Sequence, residues 1–158
     1  MKPIFAPWRL EFILGEREKG CVFCNRIKRK RDREDLILHR GKWNFVILNK
    51  YPYNNGHLMV VPKRHVKSLQ NLTPKEGAEI FSLLARCEIV LSQAMTPHGF
   101  NGGLNLGKAA GAGIDDHLHF HLIPRWTGDT NFWPVVAETK SMPQHILTTY
   151  DLIRKYWK

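Results

Sequence analysis

Three histidines alternate with apolar residues in one stretch of the chain, and this stretch restricts the possible folds more than any other. It reads His117-Leu118-His119-Phe120-His121-Leu122-Ile123. Alternation with a period of two predicts a β-strand with all three imidazoles on one face and Leu118, Phe120 and Leu122 on the other. Imidazole is the commonest metal ligand and exchanges its proton near neutral pH. The histidine face is therefore a candidate metal or catalytic site, with a merely His-rich surface strand as the simpler alternative.

Length and charge limit the class of protein. The chain has 158 residues, enough for one domain with a sizeable core. Its formal net charge of +10 favours anionic partners such as nucleotides, polyphosphates, nucleic acid or a membrane surface. No apolar run approaches the roughly 18 residues that a membrane-spanning helix needs. The first eight residues lack the apolar core of a signal peptide, so a cytoplasmic location is expected.

The order of the predicted elements indicates an α+β fold with an antiparallel sheet of about five strands, one long helix and a C-terminal helix. The expected strands are 36–38, 44–48, 57–61, 100–106 and 117–123. We expect one domain over 1–158, with an N-terminal arm at 1–20 and a C-terminal loop and helix extension at 127–158. Within the extension, Pro143 to Lys158 predicts the helix, with apolar contacts from Ile146, Leu147, Tyr150, Leu152, Ile153 and Trp157.

The long helix has a clear start signal. In Thr73-Pro74-Lys75-Glu76, a Thr N-cap precedes a proline in the first turn and an acid three residues on. The helix then runs toward Thr96-Pro97. The helical period predicts a buried stripe of Ile80, Leu84, Cys87, Leu91 and Ala94, in which Cys87 is a small core residue. Before the first strand, the charge run 28–35 is expected to be a solvated surface, with anion steering as the alternative.

A Gly/Ala-rich loop stands directly before the histidines. Its residues, 105–113, carry few bulky side chains, so their backbone N–H groups can approach an anion closely, and Lys108 adds a positive charge. The loop is not a Walker loop, because the Gly-Lys-Ser/Thr ending is missing. A phosphate held there would lie beside the imidazoles. One histidine could then act as a general base on water or attack phosphorus itself, and a neighbour could protonate the leaving group.

Two of the three cysteines form Cys21-x-x-Cys24. This spacing alone is compatible with a zinc site, a redox pair or chance. A tetrahedral zinc would need two more nitrogen or sulfur ligands, and His65 and His117 are the best-placed candidates. His57 is expected to pack or hydrogen-bond within its own strand.

The histidine stretch resembles the motif of the histidine triad, or HIT, family, and residues 49–65 resemble the segment that leads to that family's Pro-Lys-x-His element. Further segments are similar to the diadenosine tetraphosphate phosphorylase branch of the family, namely 6–9, 51–54, 105–114 and 124–132. The resemblance implies a HIT-like fold. It also implies an enzyme that cleaves dinucleoside polyphosphates, with phosphate as the favoured acceptor so that diadenosine tetraphosphate gives ADP and ATP (an ATP adenylyltransferase type of activity).

The resemblance also implies roles for single residues. His119 would be the nucleophile that forms a nucleotidyl intermediate, and His121 would contact the phosphate. Asn49 would bind the ribose, although many relatives carry an aspartate there. Phosphate oxygens would be held by Asn105, Gly107, Lys108, Gly111, Ala112 and Gly113. The base would pack near Phe23 and Ile27. A structural zinc would be held by Cys21, Cys24, His65 and His117.

Several alternatives stay open. Ala112-Gly113 replaces the polar pair found in the small phosphoramidate hydrolases of the family, and Asp115 and Asp116 could cap a turn or orient an imidazole. The same site could serve a hydrolase that releases AMP from dinucleoside polyphosphates or phosphoramidates, or a nucleotide-binding regulatory protein of low turnover. A zinc-stabilised nucleic-acid binder is a third class, but nucleic acid and membranes are not the expected partners. Family members are typically homodimers, and a tetramer is compatible with the sequence.

Overall fold

The computed structural model describes residues 18–111, 113–129 and 144–157. Within them, five antiparallel strands form one sheet in the order β1-β2-β3-β5-β4. The strands are β1 (Ile37–Arg40), β2 (Asn44–Leu48), β3 (Leu58–Pro62), β4 (Gly99–Gly103) and β5 (Phe120–Arg125). The helices are α1 (Val22–Arg29), α2 (Pro74–Met95) and α3 (Ile146–Tyr156), with 3-10 turns at Leu69–Asn71 and Lys108–Ala110. The predicted α+β fold is confirmed. Most of the expected arm at 1–20 and the middle of the extension at 127–158 lie outside the described residues.

The centre of the sheet is covered on both faces. Every residue of β2 and β3 is buried. Such burial on both faces is typical of strands whose sequences are nearly continuous apolar runs. β5 lies between β3 and β4, where His121 pairs with Met59 on one side and with Gly103 on the other. The sheet thus holds His121 in its interior. Among the described helices, none combines the length and apolar composition that crossing a membrane requires.

The start of α2 follows its sequence signal. The Glu76 N–H donates to Thr73 Oγ1 at 3.3 Å, and the Glu76 carboxylate accepts the Thr73 N–H at 2.7 Å, which completes a capping box. Arg64 adds an ion pair to the same carboxylate at 2.8 Å. The hydrogen bond from Arg64 is the main reason why the pKa of Glu76 falls to about 2, whereas burial of the carboxylate acts in the opposite direction. The helix ends at Met95, next to the expected Thr96-Pro97 boundary.

The buried face of α2 is wider than the expected stripe. Ile80, Cys87 and Leu91 are buried as predicted, but Leu84 and Ala94 are only partly buried, while Leu83 and Val90 complete the face. The cause is that α2 packs against both β3 and α3, so more than one row of side chains is covered. Cys87 is confirmed as a small core residue, and burial raises the pKa of its thiol.

The strand that carries the histidines begins later than the alternation predicts. β5 begins at Phe120, so His117 and His119 precede the ladder. The cause is Pro62 at the end of β3, which has no N–H to donate and whose carbonyl accepts the Nε2–H of His117 at 2.9 Å. The Leu118 N–H donates instead to the Val66 carbonyl at 2.7 Å. Three other strands also differ from their expected bounds: β1 is 37–40, β3 is 58–62 and β4 is 99–103. β4 ends at Gly103 because that is the last residue that pairs with β5.

The turn between β1 and β2 is held by Glu79 of α2. Its carboxylate accepts the backbone N–H groups of Lys42, Trp43 and Asn44 at 2.7–2.8 Å. A Cβ on Gly41 would lie 2.8 Å from Glu79 Oε1 and 3.0 Å from the Asn44 carbonyl oxygen, so the close approach of turn and carboxylate favours glycine there. One side chain of α2 thereby ties the helix to the first hairpin.

α3 covers β1 at the edge of the core. The Tyr150 hydroxyl donates to the Ile37 carbonyl at 2.9 Å, and the Trp157 ring stacks on His39 with centroids 5.3 Å apart. Pro143 and Lys158, the expected ends of this helix, lie outside the described residues. The expected apolar contacts are confirmed for Ile146, Leu147, Tyr150, Ile153 and Trp157, whereas Leu152 lies outside the buried cluster.

The charge run 28–35 is a surface of paired charges. Its ion pairs join Arg29 to Asp35 and Glu18, Arg31 to Glu34, Arg33 to Asp151, and Asp32 to Arg40. The side chains of Arg31 and Glu34 are 67% and 71% exposed, so their pair contributes little to stability. The expected solvated surface is confirmed for residues 28–34, whereas Asp35 is buried at 5% exposure. The three guanidinium groups of the run already face carboxylates.

Candidate functional site

The histidines of the triad, one further histidine and a phenylalanine form a single buried cluster. His117, His119 and His121 are 1%, 6% and 9% exposed. The ring of Phe23, from α1, lies 5.4 Å from that of His117 and 5.2 Å from that of His119. The rings of His119 and His121 meet edge to face at 4.8 Å. The predicted common face of the three imidazoles is therefore present, although it is enclosed rather than exposed.

His57, which the sequence did not place in the site, sets the protonation pattern of His121. His57 Nδ1 accepts the Tyr53 N–H at 3.1 Å and is also 3.3 Å from the Asn49 amide nitrogen. A neutral His57 therefore carries its proton on Nε2, which donates to His121 Nδ1 at 2.8 Å. His121 must then carry its own proton on Nε2. That Nε2 is buried and has no hydrogen-bond partner among the described residues, so it is a donor available to an acceptor that enters the site.

His119 has the opposite arrangement. Its Nδ1 lies 2.8 Å from the carbonyl oxygen of His117, which can only accept, so Nδ1 carries the proton. Nε2 of His119 therefore keeps its lone pair, and the ring that carries it lies 4.8 Å, between centroids, from the ring that carries the Nε2–H of His121. A lone pair next to a hydrogen-bond donor can attack an electrophile while the donor binds the negative charge that develops.

Burial keeps these imidazoles neutral at physiological pH. It lowers the pKa of His57 to about 3, with smaller contributions from His121 and His119. It also lowers the pKa of His121 to about 4, aided by His119. The pKa of His119 is lowered by burial as well, against the effect of its bond to the His117 carbonyl. A neutral His119 is the form with a lone pair, so the site is prepared for nucleophilic rather than purely electrostatic chemistry.

Tyr53 and Asn49 line the outer side of the histidine cluster. Tyr53 is 56% exposed, and its ring stacks on His57 at 5.0 Å and lies 6.2 Å from His121. The Asn49 side chain bridges His57 and the Tyr51 N–H, which donates to Asn49 Oδ1 at 3.0 Å. Both of its polar atoms are thus engaged, and its expected contact with a ribose stays a prediction.

The first histidine of the triad belongs to a second, adjoining cluster. Cys21 Sγ lies 3.1 Å from His117 Nδ1, and Cys24 Sγ lies 3.4 Å from His65 Nδ1. The four donor atoms lie within 4.8 Å of one another, and this is the combination of Cys21, Cys24, His65 and His117 expected from the sequence. The corners of a tetrahedron with metal–ligand bonds of about 2.0–2.3 Å are roughly 3.3–3.8 Å apart, so the spacing fits such an ion.

The protonation pattern agrees with metal binding at this cluster. The Nε2–H of His117 donates to the Pro62 carbonyl, so its Nδ1 lone pair faces the sulfurs. The pKa of the Cys24 thiol is raised by burial and by Cys21, and a cation would reverse that effect. The charge of Asp116 acts to raise the pKa of Cys24 and that of His117, so this carboxylate lies near the cluster. These four residues can hold a metal ion with no open coordination position, as in structural sites.

The Gly/Ala loop begins where β4 ends beside His121. Gly103 pairs with His121, and the loop continues through Asn105 to a 3-10 turn at Lys108–Ala110. Gly107 and Gly111 have φ angles of 80° and 82°, a region that favours glycine. Lys108, Gly111 and Gly113 are exposed, and Asn105 and Gly107 are partly exposed, whereas Ala112 lies outside the described residues. Of the residues expected near the base, Phe23 is fully buried against the imidazoles and Ile27 is partly exposed.

The sequence matches a protein family and several named proteins. The model of the HIT domain family matches residues 30–128. AP-4-A phosphorylase of Mycobacterium tuberculosis (strain CDC 1551 / Oshkosh) is 45% identical over 126 residues, which cover 80% of this chain and 65% of that protein. The matched part of this chain thus spans less than two thirds of the length of that protein.

Solved structures resemble the whole fold. A hypothetical histidine triad nucleotide-binding protein from Sulfolobus tokodaii matches with a TM-score of 0.70 at 26% identity, over 87% of this chain and 91% of that chain. A Zn-bound histidine triad family protein from Mycobacterium smegmatis matches with a TM-score of 0.70 at 25% identity, over 87% and 93%. With the triad, its buried imidazole cluster and the family match over 30–128, these likenesses show that the chain belongs to the HIT family.

Proposed function

We propose that the protein is a nucleotidyl transferase that cleaves dinucleoside polyphosphates, with diadenosine tetraphosphate as substrate and inorganic phosphate as acceptor. The observation that carries the proposal is the pairing of a lone pair on His119 Nε2 with a proton on the unpartnered Nε2 of His121. The similarity to an AP-4-A phosphorylase over 80% of the chain supports the choice of substrate.

The reaction takes place in two steps at one phosphorus atom. His119 Nε2 attacks the α-phosphorus, the bond to the bridging oxygen breaks and ATP leaves, so that AMP is held on the imidazole. The Nε2–H of His121 donates to a phosphoryl oxygen as its charge increases. Phosphate then attacks the same phosphorus, the P–N bond breaks and ADP is released. Asn105 and the amides of Gly107, Gly111 and Gly113 would hold the other phosphate oxygens, with Lys108 adding charge.

The metal of the four-donor cluster is proposed to be zinc. Two thiolates and two imidazoles are the donors that Zn²⁺ prefers, and a closed set of four indicates a structural ion. Bound there, zinc would supply a cross-link and no reaction chemistry. Cys21, which precedes the first residue of α1, and Cys24 within α1 would be joined to His65 and His117 next to the sheet. This link would fix the position of α1 against His119.

The test is incubation with diadenosine tetraphosphate, with and without inorganic phosphate, followed by separation of the nucleotide products. ADP and ATP that form only with phosphate, and only while His119 is intact, would support the phosphorylase reaction. Phosphate-independent AMP and ATP would identify a hydrolase instead. Binding of nucleotides without turnover would favour a regulatory protein. His119→Ala serves as the matched control, because it removes the lone pair and leaves the His57–His121 bond.

The protein is also proposed to act as a homodimer, in the cytoplasm. On α2, Phe81 and Ile89 are 71% and 59% exposed, and β4 is an edge strand of the described sheet. Large apolar side chains and unpaired strand edges are features that proteins tend to cover. Light scattering should therefore give twice the monomer mass, or four times for a tetramer. Phe81→Glu should give monomers, whereas Leu69→Glu, at a site 45% exposed outside α2, should not.

A further inference from the structure

A nearly buried carboxylate lies just after the end of β5. The chain turns back on itself there, since the Asp129 N–H donates to the Trp126 carbonyl at 3.1 Å and Gly128 has a φ angle of 87°. The turn brings Asp129 to Arg125, whose guanidinium donates to both carboxylate oxygens, at 2.6 and 2.7 Å. The side chain of Asp129 is only 10% exposed. This paired carboxylate is therefore a fixed hydrogen-bond acceptor.

Asn54 joins this carboxylate to the turn between β2 and β3. Asn54 is buried, and its side-chain amide donates to Asp129 Oδ2 at 2.9 Å and to the Pro124 carbonyl at 3.0 Å. Its Oδ1 accepts the Asn55 N–H at 3.2 Å. Because both acceptors face the NH₂ group, the orientation of the amide is fixed. Asp129 thus ties the turn to the end of β5.

The turn held in this way determines which nitrogen of His57 carries the proton. The Asn54 carbonyl accepts the His57 N–H at 3.2 Å, and the Tyr53 N–H donates to His57 Nδ1 at 3.1 Å. A second donor to Nδ1, the Asn49 amide at 3.3 Å, is oriented by the Tyr51 N–H of the same turn. Both of these donors therefore depend on the position of one short segment.

His57 and His121 have two self-consistent proton arrangements. Across the 2.8 Å between His57 Nε2 and His121 Nδ1, one nitrogen must donate and the other must accept. When His57 donates, His121 carries its proton on Nε2 and can bind a phosphoryl oxygen. When His57 accepts, His121 Nε2 presents a lone pair, which repels the same oxygen. The Tyr53 N–H selects the first arrangement, because a proton on His57 Nδ1 would face it.

We propose that Asp129 is a positioning residue for the nucleotidyl transfer. Through Asn54 and the turn, it keeps the proton of His121 on Nε2, where the charge of the phosphoryl group develops. The effect on the rate rests on the proposed reaction, whereas the effect on the histidine tautomers does not. Since the loss of one hydrogen bond changes an equilibrium roughly threefold to tenfold, release of the turn should move a measurable fraction of the pair into the second arrangement.

The test combines ¹⁵N NMR of the histidines with steady-state kinetics of the metal-loaded protein at neutral pH. In wild type, Nδ1 of His57 and Nδ1 of His121 should give the resonances of nitrogens without a proton. In Asp129→Ala both resonances should move together toward those of protonated nitrogens. The kcat with diadenosine tetraphosphate and phosphate should fall at least about threefold, in proportion to the fraction of His121 that keeps its Nε2–H. The KM should change less than about twofold, because this donor acts on charge that develops in the transition state.

Three variants separate the hydrogen bond from the charge. Asp129→Asn removes the same charge but keeps an oxygen for Asn54, so its kcat should stay within about twofold of wild type. Asp151→Ala takes a carboxylate from another arginine fork, at a side chain 47% exposed, and should leave the tautomers and the rate unchanged. Asn54→Ala leaves the Arg125–Asp129 pair in place and should reproduce the effect of Asp129→Ala, even if Asp129→Ala fails to fold.

Wild-type tautomers in a folded Asp129→Ala or Asn54→Ala protein would overturn the proposal. Equal losses in Asp129→Ala and Asp129→Asn would also overturn it, as would a fall in kcat without a change of tautomer. The expected change of tautomer in a protein that does not cleave diadenosine tetraphosphate would refute the proposed reaction alone.

Discussion

Replacing His57 with glutamine is expected to reduce the loss of unfolding free energy that occurs when the pH is lowered. His57 is 0% exposed, and burial, with His121 and His119, lowers its pKa to about 3. In an unfolded chain the same imidazole titrates near pH 6.5. As the pH falls through this window, the unfolded chain takes up a proton that the folded chain does not. The contribution of His57 to the free energy of unfolding is therefore largest above about pH 6.5, and it decreases as the pH falls below this value.

The size of the effect follows from the two pKa values. Between pH 7.5 and 5.5 the unfolded imidazole changes from mostly neutral to mostly protonated, while the folded one stays neutral. The linkage relation then gives a loss of about 1.4 kcal/mol for one such histidine. His121, with a pKa of about 4, adds a similar loss in wild type and variant alike, so it cancels in the comparison. In His57→Gln the amide keeps a donor and an acceptor but does not titrate.

Urea unfolding at the two pH values measures the difference. The decrease in unfolding free energy should be smaller in His57→Gln than in wild type by about 1.4 kcal/mol. His98→Gln removes an exposed histidine and should retain the wild-type decrease. Equal decreases in wild type and His57→Gln would refute the assignment of a neutral, buried His57.

Three further outcomes are expected. Metal analysis should find one zinc per chain in wild type and none in Cys24→Ser. A chelator should also lower the melting temperature of wild type; an unchanged melting temperature would contradict the structural role. Glu79→Ala should lower the unfolding free energy by about 2 kcal/mol, because three backbone N–H groups lose their acceptor, and a loss below about 0.5 kcal/mol in urea would contradict it. Arg33→Ala should cost less than about 1 kcal/mol in the same assay, since its pair with Asp151 is exposed; a larger loss would show that the pair is structural.

Features that depend on neighbours in sequence could be predicted. The Thr73–Glu76 capping box requires residues three apart, so the first turn of α2 could be located without tertiary information. The four-donor cluster could be predicted because its donor set is chemically restrictive: two cysteines near each other need two further nitrogen or sulfur ligands if they are to hold an ion. The common face of the imidazoles follows from the two-residue period of an extended chain.

Features that depend on distant partners could not be predicted. His57 is one histidine in an apolar segment, and its role comes from His121, 64 residues away, which the pairing of β3 with β5 brings within 2.8 Å. The late start of β5 depends on Pro62, 55 residues before the histidine that it contacts. Arg33 likewise meets its carboxylate 118 residues later. A local pattern contains no information on such partners.

The shortest α-helix of the described chain governs exposure of the buried imidazoles. α1 has eight residues, too few to be stable by itself in water. It is retained by the buried ring of Phe23, by the Arg40 guanidinium on the Ile27 carbonyl at 2.7 Å, and by Cys21 and Cys24 in the four-donor cluster. Its amides should therefore exchange with solvent deuterium through local opening, earlier than those of β2 and β3. Since Phe23 covers His119, the frequency of that opening is also the frequency at which His119 becomes accessible from this side. An ion held by the four-donor cluster would make that opening rarer.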